Sequence, residues 1–170
     1  MINKKKCKIA LLFLYNIYGD YIMQEYNLID IENLVQNLYN KFNIEIPSIE
    51  YYKLLRFYNI TIEYKNDIDV LYDKCIIKND NGYTLYIRNG INKYQEIFDI
   101  IRMLGNILLD IPYNTRNFEL ENIVSHFAIM YLIPRKAIKP ITKLSDIIIK
   151  YRVSSSMVVE RIKIIESESD

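Results

Sequence analysis

One histidine, His126, and two cysteines, Cys7 and Cys75, limit the chemistry open to this 170-residue chain. A two-histidine metal site cannot form, and a Ser/His or Cys/His nucleophile pair would have to use His126. Glu121 precedes His126 by five positions. On a helix, at about 100° per residue, their side chains point roughly 140° apart, which does not suit joint ligation of a metal. His126 therefore reads as a partly buried or surface helix residue, and the isolated cysteines read as small apolar residues. Asp67 with Asp69, and Asp73 near Asp80, are the acidic pairs that acid–base chemistry could use. They fall in turn-rich or strand-end stretches where acids are common, and none has an evident partner. Sixteen tyrosines could stack on bases, yet they are scattered among core-periodic positions.

The elements that would carry these residues fall in three blocks. Apolar spacing predicts helices over Ile9–Met23, over Asp30–Phe42 and, opened by Pro47 and Ser48, over Ile49–Tyr58. The period then changes to strands: Ile60–Tyr64, Leu71–Lys78 and Tyr83–Arg88, with Asn79-Asp80-Asn81-Gly82 as a hairpin turn. These three read as a small meander. Helical spacing returns at Asn92–Leu109 and Phe118–Leu132, the latter closed by Pro134. Two short helices follow, Thr142–Tyr151 and Ser154–Glu166, before an acidic tail with Glu168 and Asp170. The fold class is α+β: N-terminal helices, a small three-stranded sheet, then helices. A main domain over residues 1–138 and a C-terminal helix pair over 139–170 packed on it are the expected divisions.

Twenty-two basic against 21 acidic residues leave a net charge of +1, so bulk electrostatics does not argue for a strongly basic nucleic-acid binder. Lys4, Lys5, Lys6 and Lys8 before Ile9–Tyr15 imitate a signal peptide, but Asn16, Gly19 and Asp20 interrupt the apolar run and no cleavage site follows. A span of roughly 20 apolar residues, as a bilayer needs, is lacking. A cytoplasmic protein without a membrane partner is expected. The wealth of Ile, Tyr, Asn and Lys reads as coding bias.

Phe98, Leu104-Gly105, Ile107-Leu108, Phe127-Ala128 and Pro134 stand in an order that resembles the ImmA/IrrE family of zinc metallo-endopeptidases, over most of the chain. That family carries Phe-x-x-x-His-Glu-Leu-Gly-His on one helix and a glutamate opening the next conserved helical segment. The resemblance implies a zincin-like metallopeptidase scaffold here. Two histidines four apart on one helix face can hold Zn²⁺, and the glutamate between them takes a proton from metal-bound water. In this chain Arg102 stands for the first histidine, Met103 for the catalytic glutamate and Asn106 for the second histidine; only Glu121 keeps its type. Arginine stays protonated and cannot ligate a cation. No metal, cofactor or family-type hydrolysis is expected from this set. Arg102 is instead expected to pair with Glu121 where zinc would have supplied positive charge. The plainer alternative is a solvated stripe of Gln95, Asp99, Arg102 and Asn106 on the helix.

What the resemblance implies for function is a catalytically inactive, metallopeptidase-like binding or regulatory protein. Its expected partner is a protein, a peptide or a repressor-type regulator of a phage or mobile element. Strand addition would supply the contact, with Tyr83, Leu85 and Ile87 on the expected edge strand. The second reading is a DNA-associated regulator whose C-terminal helices resemble a helix-turn-helix, with Ser154, Ser155, Arg161 and Lys163 toward phosphate. An enzyme with unrecognised chemistry is the third.

Overall fold

Asn27 opens the first described helix by accepting the Ile29 N–H on its side chain at 3.1 Å. The computed structural model describes residues 27–66, 74–112, 117–139 and 142–167. The expected helix over Ile9–Met23, Cys7, and the acids Asp67, Asp69 and Asp73 lie outside them. Helix α1 (Leu28–Phe42) buries Ile31, Val35 and Leu38, one stripe at helical spacing, and ends on Asn43 in the left-handed region. The helix expected over 49–58 is two pieces, α2 (Pro47–Glu50) and α3 (Tyr52–Phe57), joined at Tyr51. Glu50 accounts for the tight first piece: its carboxylate accepts from the backbone N–H of Glu45 and of Ile46, both at 2.7 Å. Those donors, Ile46 above all and then the Lys53 ammonium, hold the Glu50 carboxyl down to about 2.

Three strands follow: β1 (Ile60–Lys65), β2 (Lys74–Asn79) and β3 (Gly82–Arg88). Their order is β1-β3-β2, with β1 parallel and β2 antiparallel to β3. The sheet is therefore not a meander, and Tyr83, Leu85 and Ile87 do not lie on an edge. They occupy the central strand, paired through Ile60, Ile62 and Tyr64 on one side and Lys78, Ile76 and Lys74 on the other. The physical reason is backbone pairing: β3 is hydrogen-bonded on both sides and so presents no unpaired edge, and its Leu85 and Ile87 are fully enclosed. Among the described residues the edges are β1 and β2. One sheet face packs inward; on the other, Thr61, Thr84 and Asn79 are joined by side-chain hydrogen bonds.

Helix α4 (Lys93–Leu108), capped by Asn92, and helix α5 (Phe118–Leu132), capped by Asn117, form the centre. From Phe127 to Leu132 every α5 residue is buried, as befits a helix with neighbours on all sides. It packs against α1, α2, α4 and the last helix. A 3₁₀ turn (Arg135–Ala137) leads to α6 (Leu144–Tyr151) and α7 (Ser155–Ser167). Ser154 caps α7 by accepting from Met157 N–H at 3.3 Å.

The carbonyl end of α5 is held by side chains from both ends of the described chain. Arg161 on α7 donates through Nε to the Ile133 carbonyl at 3.0 Å and through Nη2 to the Glu32 carboxylate on α1. The Tyr39 hydroxyl donates to the Tyr131 carbonyl. A cation at a helix C-terminus is favoured by the helix dipole, so this placement compensates part of the cost of burying it. Burial pushes the Tyr39 hydroxyl well above its ordinary range. No described helix is long and apolar enough to cross a membrane.

Candidate functional site

The four family-derived positions lie where α4 and α5 cross. Gly105 sets how closely they approach: a Cβ there would fall 2.8 Å from the Phe127 ring. A larger residue would force the helices apart, so Leu104-Gly105 and Phe127-Ala128 are explained by packing. That close approach brings Arg102 of α4 to Glu121 in the first turn of α5, and the Arg102 Nη2 donates to the Glu121 carboxylate. The guanidinium carbon also lies 5.8 Å from the centre of the Phe98 ring. Arg102 is only 17% exposed in its side chain against 37% for Glu121, so the pair is partly desolvated from the arginine side. Arg102 Nε is buried without a hydrogen-bond partner among the described residues.

Met103 is core, 2% exposed, and contributes apolar packing. Asn106 is also buried, and its amide donates to the Ile111 carbonyl at 3.2 Å while Ile111 N–H returns to the Asn106 carbonyl at 2.9 Å. The side chain thus closes the end of α4, where Asp110 takes a left-handed conformation. The solvated stripe is corrected by these burials: Gln95 is exposed, but Asp99 and Asn106 are buried and Arg102 nearly so. The polar residues form a seam between two helices.

This donor set does not fit zinc. It offers one carboxylate, and no group of three His, Cys, Asp or Glu that could hold a metal ion occurs among the described residues. His126 lies half-buried on α5, and burial lowers its imidazole below the ordinary value, Glu160 opposing. Cys75 on β2 is a half-buried thiol pushed upward by desolvation.

A double-mutant cycle on Arg102→Met and Glu121→Gln, read by urea unfolding, is expected to give a coupling of about 1 kcal/mol, since Glu121 is too exposed for a larger value. A coupling indistinguishable from zero would mean that solvent screens the contact fully.

The C-terminal set is not brought together as a DNA-reading face. Arg161 is 0% exposed and committed to Glu32 and Ile133, so it cannot reach phosphate; this corrects the expectation for that residue. Ser155 and Lys163 are exposed, Ser154 is half-buried as the α7 cap, and Lys163 pairs with Glu160 at 3.3 Å. The sequence reading missed the role of Arg161 as an anchor. The signal available was its three-residue spacing from Val158 and Ile164, both buried with it on one helix face.

No protein-family model matches the sequence, and no curated protein matches it. Eight chains of solved structures do. One is a Mycobacterium tuberculosis transcriptional regulator, 14% identical, with a TM-score of 0.57 over 86% of this chain and 48% of that one. The chain thus spans about half the length of that protein, and the likeness is one of fold.

Proposed function

We propose that this chain is a disabled relative of the ImmA/IrrE zinc endopeptidases that serves as a regulatory binding module for a protein partner. The observation that carries the reading is the Arg102–Glu121 pair. A guanidinium stands where the first zinc-binding histidine would be and engages the one former ligand that keeps its chemistry. A carboxylate left near a partly buried seam without a cation would be costly, so the arginine replaces the metal's charge and not its chemistry. Met103 in the core and Asn106 closing α4 take the remaining positions into structural work. The Mycobacterium tuberculosis protein of similar fold is a transcriptional regulator, which agrees with a regulatory setting. A repressor-type protein is the partner class that the family likeness suggests, and an extended segment of it would add to β1 or β2.

Two zinc measurements test this. Elemental analysis of the purified protein is expected to find far less than one zinc per chain, unchanged by added Zn²⁺; stoichiometric zinc would overturn the disabled-site reading. The variant Arg102→His/Asn106→His, with Met103 kept to preserve the core, is expected to take up one zinc per chain through positions 102, 106 and 121. A folded variant that takes up none would remove the zincin scaffold from the proposal.

A further inference from the structure

The charge of this nearly neutral chain is not evenly spread. Between Arg135 and Arg152 lie six of its 22 basic residues and one of its 21 acidic residues, Asp146. All six cations are exposed. They occupy the 3₁₀ turn, the segment before α6, the N-cap and last turn of α6 and the turn into α7: Arg135, Lys136, Lys139, Lys143, Lys150 and Arg152.

Elsewhere among the described residues six cations are matched by carboxylates, while Lys41 and Lys78 lie over aromatic rings. Lys53, Lys65, Lys93, Arg102, Arg161 and Lys163 each sit within ion-pair distance of a carboxylate. Lys136, Lys139, Lys143, Lys150 and Arg152 make no ion pair with a described residue; Lys150 rests 5.3 Å from the centre of the Tyr151 ring. A run of unmatched exposed cations repels itself, and an anionic partner relieves that repulsion.

The form of the surface selects among anionic partners. Lys143 and Lys150 are seven residues apart, so they fall on one side of α6 separated by about 10 Å, with the exposed Asp146 the one carboxylate between them. Arg152 then turns the chain into α7, whose amide end follows directly. Helix, short turn and helix, with cations on the first helix and the turn, is a layout that lies along a duplex backbone. An acidic amphipathic peptide would need a continuous apolar patch between the charges. Among the described residues of this segment the two exposed large apolar side chains, Leu144 and Ile149, are five positions apart and project about 140° from one another, so these two form no such patch.

We propose that the Lys136–Arg152 surface binds the phosphate backbone of a nucleic-acid duplex, without reading its sequence. The proposal is independent of the zinc-peptidase likeness and survives its failure. It uses residues other than the Ser154, Ser155, Arg161 and Lys163 set.

The test is fluorescence anisotropy with the full chain and labelled 24-base-pair duplexes of arbitrary sequence, one DNA and one RNA. Binding is expected at 50 mM salt, weakening on the order of 100-fold by 200 mM as about four counterions are released. Lys139→Glu/Lys143→Glu/Lys150→Glu is expected to weaken it at least tenfold at 50 mM salt with an unchanged melting temperature, since all three side chains are exposed. Lys41→Glu/Lys78→Glu, which reverses cations outside the segment, is the control and is expected to have less than a threefold effect. Binding of the DNA, the RNA or both with this pattern supports the proposal, and preference between them names the source. No binding to either duplex at 50 mM salt, equal loss in the control, or equally tight binding of poly-L-glutamate would overturn it.

Discussion

Replacing Arg161 with methionine is expected to cost about 3–5 kcal/mol of stability, because it leaves a partly buried carboxylate without its cation. Against a typical total of roughly 5–15 kcal/mol, that is a large share. The residue is fully enclosed, binds Glu32 and Ile133, and sits at the carbonyl end of α5. Three interactions end together: the ion pair, the Nε hydrogen bond and the favourable cation–dipole placement. Urea unfolding followed by circular dichroism would measure the loss. Adding Glu32→Gln to Arg161→Met is expected to cost less than Glu32→Gln alone, since the double variant has no orphaned charge. Strict additivity, or a loss below 1 kcal/mol for Arg161→Met, would show that the pair is solvated in the working protein.

Gly82→Ala should be nearly as damaging. A Cβ at this position would lie 2.1 Å from the carbonyl oxygen of Asn59, and that oxygen accepts the Tyr83 N–H at 3.1 Å. The neighbouring atom is backbone and cannot swing aside as a side-chain tip could. The hairpin must therefore move away from the α3–β1 corner, breaking the first contact between β1 and β3. A loss of about 3 kcal/mol, at the upper end of overpacking effects, is expected from the unfolding midpoint. Gly90, with open space around its own position, shows that glycine in this chain is not always steric. A cost under 1 kcal/mol for Gly82→Ala would mean that the corner yields.

These two residues also mark where the sequence was readable. The asparagine- and glycine-rich turn and the alternation around it announced three strands, and the structure has them. Strand order was not legible, because Ile recurs on all three and local alternation says nothing about which strand is central. The pairing of β3 with both neighbours, together with the approach of Gly82 to Asn59, reveals β3 in the middle. At the candidate site, Arg102 could be aligned with Glu121 from motif spacing, since Gly105 and Phe127 set the helix crossing. The capping work of Asn106 was hidden, because its acceptor at Ile111 depends on how the chain leaves α4. Arg161 misled for a general reason: an arginine on an amphipathic helix looks solvent-facing until a carboxylate far away in sequence is brought to it. The basic segment was concealed by the whole-chain charge, in which acids elsewhere cancel it.

The contact between Glu32 and Arg161 spans 129 positions of sequence, and this orders events during synthesis. At about 5–20 residues per second, roughly 6–26 s pass between the emergence of the acid and that of its base. In that interval α1 can pair with α5 only by leaving the Glu32 carboxylate without its cation, which disfavours closure. A chain that stops short of Arg161 is therefore expected to leave the Ile133 carbonyl and the Glu32 carboxylate without that donor, and the carbonyl end of α5 unsealed.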